Sequence, residues 1–482
     1  VGPSRQPPCR FEADTLLYDC GNWNATAVWR VPAGAVSGLY FARLTALEVP
    51  PSRAGAWRAE GSGAPTDHPQ FAMEGGLGGR PPPEPHAYGA NGLRGRVRRP
   101  LREPIASHAF FVVRQDSRRA DVLFQTADTT WQAYNTYGSN SSMYGSFEPG
   151  VLVPRALKAS YNRPLATRGH RAVNAPFHAE YPAIRWLERN GYDVQYISGV
   201  DADRLGAAYI AERRVFLSVG HDEYWSRGQR SNVEAARDAG TSLAFWSGNE
   251  AYWKIRWEDG FRTMVCYKES RSQVKLDPLP DVWTGTWRDS RSINPEGAEP
   301  ENALTGTIYV VDTWRNEPIL VPWLYRDHWF WEHTAVASLR DNETHVMKAG
   351  LLGHELDEDV DNGFRPAGLM RLSETAIDNV MYLQNHGSVY DTGSTTHHLV
   401  LHRRLDSGSW VFGAGTAQWS WGLDDFHDSP AGVPAHLANE YCTRVGRDLS
   451  GVDADVQQAS ANLLARMGAL PRAPAPGLRA PS

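Results

Sequence analysis

Residues 213–225 decide the fold, and they read Arg-Arg-Val-Phe-Leu-Ser-Val-Gly-His-Asp-Glu-Tyr-Trp. The apolar run Val215–Val219 is typical of a strand that is buried on both faces, and Gly220 marks a sharp turn after it. The turn presents three ionisable side chains, His221, Asp222 and Glu223. Ligands of open parallel α/β sheets bind outside the carboxyl ends of the strands, so we predict a functional site at this turn.

The residue types at the turn limit its chemistry. The turn carries no Cys or Ser, which excludes the nucleophile elbow of amidotransferase-like and hydrolase-like α/β folds. His221 and Glu223 are two residues apart, so both side chains can face the same side of an extended or turn backbone, where imidazole and carboxylate suit a metal ion. Alternatively, Asp222 or Glu223 caps a following helix without any catalytic role. The spacing alone leaves both interpretations open.

Composition bounds the class of protein. The chain has 482 residues, 41% hydrophobic and 11% aromatic, which predicts globular domains with substantial cores. A net charge of -6 with interspersed signs argues against a nucleic-acid partner, and no apolar run is long enough for a transmembrane helix. Cys9 and Cys20 have the spacing to close one short loop. The Asn-x-Ser/Thr sequons at Asn24, Asn140 and Asn342 favour a secreted or cell-surface protein, although the compartment stays open.

The first part of the chain has a strand pattern that an insertion interrupts. Apolar and polar residues alternate over Thr26–Leu44 around a Gly-containing turn, which predicts a β-hairpin. A matching strand, His108–Arg114, follows much later. The stretch between them, about 49–104, is rich in Pro, Gly and Arg, and we expect a flexible insertion between two paired strands.

Beyond Arg119 strands and helices alternate, which predicts a parallel sheet with helices on both faces. The expected strands are Asp121–Gln125, Asp193–Ile197, Val215–Val219 and Ser242–Trp246, and the expected helices are Ala179–Asn190 and Ser226–Ala239. The carboxyl ends of the strands then carry Thr126, Asp128, Ser198, Asp201, His221–Glu223 and Ser247–Glu250 along one edge. Small and amide residues such as Asn249 would let a ligand approach backbone donors there.

The remainder of the chain is irregular. Residues 282–400 predict a β-rich elaboration, with short strands such as Thr307–Val311 and His397–Leu401. The acidic run Glu355–Asp361 lacks the spacing of an EF-hand, and we expect a solvated turn there. Asp453–Met467 predicts a closing amphipathic helix that ends at Gly468, and the Pro- and Ala-rich tail predicts disorder.

Several segments together resemble the C-terminal domain family of the N,N-dimethylformamidase large (beta) subunit. The segments that carry the resemblance begin at Asp121 (Asp-Val-Leu-Phe-Gln-Thr), Thr129 (Thr-Thr-Trp-Gln-Ala-Tyr-Asn), Glu180 (Glu-Tyr-Pro-Ala-Ile-Arg-Trp-Leu-Glu), Ser218 (Ser-Val-Gly-His-Asp-Glu-Tyr-Trp), Phe245 (Phe-Trp-Ser-Gly-Asn-Glu), Asp361 (Asp-Asn-Gly-Phe-Arg-Pro) and Val411 (Val-Phe-Gly-Ala-Gly-Thr-Ala-Gln-Trp-Ser-Trp). The resemblance implies a flavodoxin- or amidotransferase-like α/β domain at 119–470, preceded by a partial β-sandwich at 1–118 and followed by a disordered tail at 471–482.

The resemblance also implies a mononuclear ferric iron held by two tyrosines and a glutamate. Carried over by position, the metal ligands are Tyr134, Tyr181 and Glu223, with Tyr137 and Tyr144 as alternatives to Tyr134. The predicted catalytic residues are His221 and Glu223, which the resemblance implies, and Asn249, which the strand-end pattern indicates. Phenolate and carboxylate oxygens suit ferric iron, which would act as a Lewis acid on a substrate carbonyl and activate water.

The predicted function is therefore the metal-dependent hydrolysis of a small linear amide. The family's dimethylformamidase has a small subunit that nothing in this sequence supplies, so we expect self-association or a small partner subunit. The first alternative is a non-catalytic secreted or surface protein that binds glycan or another ligand. The second is a hydrolase that uses zinc through His221 and one of His386, His397 or His398.

Overall fold

A computed structural model describes residues 5–45, 106–138, 142–145, 154–167, 175–425 and 452–479. The predicted insertion at 49–104, the sequon at Asn140 and Cys442 lie outside these residues. The strands are β1 Arg10–Glu12, β2 Leu17–Asp19, β3 Gly38–Thr45, β4 Ala106–Val113, β5 Val122–Thr126, β6 Lys158–Ser160, β7 Val194–Ser198, β8 Val215–Gly220, β9 Tyr224–Ser226, β10 Ser242–Ser247, β11 Trp253–Glu258, β12 Thr263–Val265, β13 Ile308–Glu317, β14 Leu320–Pro322, β15 Thr344–Val346, β16 Leu352–Glu358, β17 Met370–Arg371, β18 Thr375–Gln384, β19 Val389–His397, β20 Val400–Arg403 and β21 Trp410–Gly413. The α-helices are α1 Asp128–Tyr134, α2 Glu180–Arg189, α3 Gly199–Arg204, α4 Gly206–Ala211, α5 Arg227–Asp238, α6 Asn302–Thr305 and α7 Ala454–Arg466.

A seven-stranded sheet organises the fold, with the strand order β17-β20-β21-β10-β8-β5-β7. The five strands from β21 to β7 are parallel, and β20 and β17 add an antiparallel edge. Strand β8 is buried along its whole length and pairs with β5 on one side and β10 on the other. The predicted buried central strand and the parallel sheet are therefore confirmed.

Helices cover both faces of this sheet because successive side chains of a strand point to opposite faces. Val215, Leu217 and Val219 of β8 belong to the core that includes side chains of α2 and α7. Phe216 points the other way, into the core that includes α3, α4 and α5. Each such fully buried side chain contributes about 1.5–3 kcal/mol, so the two cores hold β8 from both sides.

The region after residue 300 is rich in strands, as predicted. An antiparallel sheet with the order β16-β13-β18-β19 occupies most of it. Two register shifts interrupt the pairing of β13 with β16, and Asp312 and Glu355 are direct cross-strand partners between them. This pairing matters for the site, because directly opposed residues lie on the same face of a sheet.

The described N-terminal strands form two small antiparallel sheets, β1 with β2 and β3 with β4. The pairing of β3 with β4 confirms that the insertion separates two paired strands. The predicted hairpin within 26–44 is wrong, because residues 26–37 contain no strand. Their apolar side chains are exposed, and Trp29 instead packs on Phe111 of β4 at 5.3 Å between ring centroids. Cys9 and Cys20 form a disulfide. The partial β-sandwich at 1–118 stays a prediction.

The C-terminal segment differs from the expected disordered tail over the residues that the structure describes. Asp453 caps α7 with its side chain, and Gly468 follows in the left-handed region, as predicted. Ala473 N then donates to Asn190 O at 3.0 Å, and Leu478 packs against the core. Composition misses this docking because the apolar contact comes from a single leucine. In the described part of the chain, no helix is long and apolar enough to cross a membrane.

Candidate functional site

The site lies where the strand order of the parallel sheet reverses. In chain order, the five parallel strands are arranged 2-1-3-4-5, and the reversal falls between β5 and β8. Helix α1 follows β5, and residues 221–223 follow β8 at the same edge. Gly220 has a φ of +86°, and a Cβ atom there would lie 2.7 Å from Ala179 Cβ, so glycine alone fits this close turn.

Two tyrosines and Glu223 bring three oxygen-bearing side chains together. Tyr134 Oη donates to Glu223 Oε2 at 3.0 Å, and Tyr144 Oη donates to Glu223 Oε1. The two phenol rings lie 4.8 Å apart between centroids. Glu223 N donates to Thr130 Oγ1 at 2.9 Å, which fixes the turn against α1. These contacts bring residues of α1, of 142–145 and of the β8 turn to one point.

His221 and Asn249 meet a second carboxyl group on the other side of Glu223. His221 Nε2 lies 3.6 Å from Glu223 Oε2 and 2.7 Å from Glu355 Oε2. Asn249 Nδ2 also donates to Glu355 Oε2, and Asn249 N donates to Asp357 Oδ1 at 2.8 Å. Glu355 therefore orients both His221 and Asn249, and Asn249 is itself held in the left-handed region at φ +50°.

Burial governs the protonation of these groups. It raises the pKa of Tyr134 and Tyr144 well above the ordinary range, and the charge of Glu223 adds to the effect. Burial also lowers the pKa of His221, against an opposing effect of Glu223, and raises the pKa of Glu355 to about 8. The imidazole is thus neutral at pH 7, and both phenols keep their protons.

Lys268 is a buried side chain that packs on the ring of Tyr144. Its Nζ atom lies 3.1 Å from the Tyr144 ring centroid and 4.6 Å from that of Trp253. Burial lowers the pKa of Lys268 well below its usual value. Trp253 Nε1 donates to Tyr144 Oη at 3.0 Å, so Lys268 and Trp253 together fix the position of this tyrosine.

The structure brings Tyr134, His221, Glu223 and Asn249 together, and it positions Tyr181 differently. Tyr181 is half-buried in α2, where its ring contacts Phe177 at 5.5 Å and the Arg185 guanidinium at 5.8 Å. The second tyrosine against Glu223 is Tyr144. The roles of all of these residues stay predictions.

The three histidines of the zinc alternative contact other groups. His386 Nε2 lies 3.0 Å from Ser270 O, and His397 Nε2 lies 2.8 Å from Ala414 O. His398 is buried, and its Nε2 atom lies 3.9 Å from Glu374 Oε2. Among the described residues, no three His, Cys, Asp or Glu side chains are arranged to hold a metal ion. The cluster at Glu223 is of another kind, because Tyr134 and Tyr144 contribute phenol oxygens to it.

Sequence reasoning missed Glu355 and Lys268. The acidic run at 355–361 was expected to be a solvated turn, yet Glu355 is 2% exposed and belongs to β16. Its alternation with Asp357 in a β-rich region was the available signal, because both carboxyls then share one face. Lys268 gave no signal, since its contacts depend on the packing of Tyr144 and Trp253.

Comparison with known proteins identifies the family. The family described as "N,N-dimethylformamidase beta subunit-like, C-terminal" matches residues 1–433, most of the chain. No curated protein matches the chain. The match covers the parallel sheet, the turn after β8 and the strand β16 that supplies Glu355. The chain therefore belongs to the N,N-dimethylformamidase beta subunit-like, C-terminal family, as its motifs indicated.

Proposed function

We propose that the chain is an iron-dependent hydrolase of a small linear amide, built on a flavodoxin- or amidotransferase-like domain. The observation that carries the proposal is the meeting of Tyr134, Tyr144 and Glu223 beside His221 at the strand-order reversal. Membership of a family named for an amide hydrolase supports the same reaction class. Among open α/β sheets this reversal is where ligands bind.

The donor chemistry of this cluster fits a ferric ion. Both phenols already point their oxygens at the Glu223 carboxylate, so three hard oxygen atoms face one another in a buried space. Loss of the two phenol protons would leave three negative groups, which a highly charged cation would hold together. We therefore propose Tyr134, Tyr144 and Glu223 as the ligands, with Tyr144 in place of Tyr181. When bound, the iron supplies Lewis acidity to polarise the amide carbonyl and acidify water.

The remaining residues handle protons and orientation. His221 is neutral and lies next to Glu223, so it can accept a proton from water and pass it to the leaving nitrogen. Such general acid–base assistance typically contributes about 10²- to 10⁴-fold. Glu355 holds the His221 ring through Nε2, and Asn249 holds Glu355 in turn. The site is walled by buried aromatic side chains such as Trp253, which exclude bulk water.

Metal analysis with a visible spectrum tests the proposal. We expect stoichiometric iron, a tyrosinate-to-ferric charge-transfer band and hydrolysis of formamide-type substrates. Glu223→Ala should lose all three properties, whereas Glu212→Ala, at an exposed position, should keep them. Protein that hydrolyses no amide when loaded with iron would contradict the proposal. A Glu223→Ala variant that keeps both iron and activity would also contradict it.

A further inference from the structure

Asp357 is a buried carboxyl group that joins the antiparallel sheet to the turn after β10. It lies on β16 with 2% of its surface exposed. Its Oδ1 atom accepts from Asn249 N at 2.8 Å, and its Oδ2 atom accepts from Thr307 Oγ1 at 2.9 Å. Burial raises the pKa of Asp357 to about 6 against the lowering effect of these two hydrogen bonds, so the group is mostly ionised at pH 7.

Asn249 has a backbone conformation that benefits from this support. Its φ of +50° lies in the left-handed region, which is less favourable for a residue with a Cβ atom than for glycine. The residue is 1% exposed, so loss of Asp357 would take away the partner of a buried N–H group. The hydrogen bond to Asp357 therefore holds the backbone of residue 249 in place.

Two carboxyl groups of β16 hold both ends of this asparagine. Glu355 and Asp357 are two positions apart on the strand, so both face the same side. Glu355 accepts from Asn249 Nδ2, whereas Asp357 accepts from the backbone N of the same residue. The Nδ2 atom also lies 3.1 Å from His221 Nε2. A displaced backbone at residue 249 would thus move this amide group away from both Glu355 and His221.

The neighbours of Asp357 keep its own backbone in one position. Asp357 pairs with Tyr309 of β13 across the antiparallel sheet, and Asp357 N donates to Gly415 O at 2.9 Å. Gly415 has a φ of +61°, and a Cβ atom there would lie 3.2 Å from His397 Nε2 and 3.4 Å from Asp357 Cβ. The carboxyl is therefore presented by a regular strand, which suits a group that fixes the geometry of a reaction centre.

We propose that Asp357 is a positioning residue of the reaction centre, which acts through Asn249 to keep the amide group of that residue against His221 and Glu355. The inference rests on the proposed amide hydrolysis, in which His221 handles the proton. Both oxygens of Asp357 are occupied by Asn249 and Thr307, so its replacement should leave the proposed iron ligands in place.

Kinetics of the iron-loaded protein with a formamide-type substrate test the inference. In Asp357→Ala we expect kcat to fall roughly 10- to 100-fold, with KM within about 2-fold and with iron content and the charge-transfer band unchanged. Asp357→Asn should keep kcat within about 3-fold of the wild type, because its Oδ1 still accepts from residue 249 while its nitrogen donates to Thr307. Asp378→Ala, an exposed change on β18 of the same sheet, is the matched control.

A double-mutant cycle tests the route through Asn249. Asn249→Gly removes the amide group, and glycine adopts the left-handed backbone without strain. In this background Asp357→Ala should lower kcat by less than about 2-fold, because no side chain is left to position. A further fall of roughly 10-fold there would mean that Asp357 acts by another route, and it overturns the inference.

Hydrogen exchange of the metal-free protein gives a readout that does not depend on activity. The measured quantity is the exchange rate of backbone amides in peptides that span residues 247–251. Asp357→Ala should speed this exchange roughly 5- to 10-fold, whereas Asp357→Asn and Asp378→Ala should match the wild type. Equal exchange in Asp357→Ala and the wild type overturns the inference.

Thr307→Val is a milder variant of the same contact. It keeps the shape of the side chain and removes the hydroxyl that holds Asp357 Oδ2, so kcat should fall roughly 3- to 10-fold. Unchanged kcat in Asp357→Ala, or in Thr307→Val where Asp357→Ala does not fold, overturns the inference and leaves the proposed function standing. Loss of iron in Asp357→Ala overturns it in the same way. A wild-type chain that hydrolyses no amide when loaded with iron overturns both.

Discussion

At the scale of single residues, the contact between His221 and Glu355 sets the orientation of the imidazole. Glu355 Oε2 is 2.7 Å from His221 Nε2, and Asn249 donates to the same oxygen. Asn249 Nδ2 also lies 3.1 Å from His221 Nε2, so the carboxyl and the amide together hold this ring nitrogen. The carboxyl therefore acts on the reaction through His221 and is a positioning residue.

Glu355→Gln should lower kcat by roughly 10- to 100-fold while iron content stays stoichiometric, because the variant disturbs the support of His221 and spares the proposed ligands. The measurements are kcat for formamide and iron per chain. Glu358→Gln is the control, since Glu358 lies on the same strand and contacts Tyr382 instead. Loss of iron in Glu355→Gln would mean that this carboxyl is a ligand and would contradict the positioning role.

A second pair of variants tests whether Tyr144 or Tyr181 is the second tyrosine ligand. Tyr144→Phe removes the oxygen that contacts Glu223, so the charge-transfer band should shift or disappear and iron content should fall. Tyr181→Phe keeps the ring that packs on Phe177, so the spectrum and the iron content should match those of the wild type. Visible absorbance and elemental analysis check both. A band lost only in Tyr181→Phe would restore Tyr181 as the ligand.

The residues of the site differed in how far the sequence could indicate them. His221 and Glu223 follow a strongly apolar strand, so their position at a sheet edge was predictable from the local pattern. Asn249 was indicated in the same way by its position after β10, whereas Tyr134 was found through the family resemblance. Glu355 was missed because its burial depends on the pairing of β16 with β13, which local spacing does not encode.

At the scale of elements, the turn between β8 and residues 221–223 requires a glycine for two reasons. Gly220 has a left-handed φ of +86°, and an added Cβ would meet Ala179 Cβ at 2.7 Å. Gly206 shares the first property, with φ +80°, but has no atom within 4 Å of an added Cβ. Alanine substitutions at the two positions therefore distinguish the energetic cost of backbone strain from that of overpacking.

Gly206→Ala should destabilise the fold by about 1 to 3 kcal/mol through its backbone conformation alone. Gly220→Ala should cost about 1 to 3 kcal/mol more, because the methyl group overpacks against Ala179 just before α2, and it should also lower activity by displacing His221. Urea unfolding and kcat are the measurements. Equal stability losses in the two variants, with activity kept in both, would contradict the role assigned to this close approach.

Strands with two buried faces were the elements that the sequence predicted best. The strands at 122–126, 215–220 and 242–247 are mostly apolar and buried along their whole length, so the sequence pattern and the burial agree. Residues 26–32 alternate apolar and polar side chains as a strand does, yet they form no strand. Strand β3 pairs instead with β4, on the other side of the insertion. Alternation signals a suitable strand, whereas the choice of partner depends on contacts distant in sequence.

At the scale of the whole molecule, burial shifts the pKa of carboxyl groups and of lysines in opposite directions. Burial raises the pKa of Glu180, Glu250 and Glu355 to about 8 in each case. Unfolding returns these groups to ordinary values near 4.5, so they release protons at neutral pH. Two buried lysines act in the opposite sense, since burial lowers the pKa of Lys254 to about 8 and holds that of Lys268 well below its usual value. Because these three carboxyls outnumber the two lysines, the folded chain binds more protons at neutral pH than the unfolded chain does.

We expect the metal-free protein to lose stability as the pH rises from 7 to 8. The folded-state pKa of each carboxyl is raised, so its contribution is full below the unfolded value and is lost as the pH passes about 8. Each surplus proton costs about 1.4 kcal/mol per pH unit. Urea unfolding at both pH values measures the change, and Glu250→Gln should flatten the slope by about one such increment. Stability that stays constant or rises over this interval would show that these carboxyls are ionised in the folded chain.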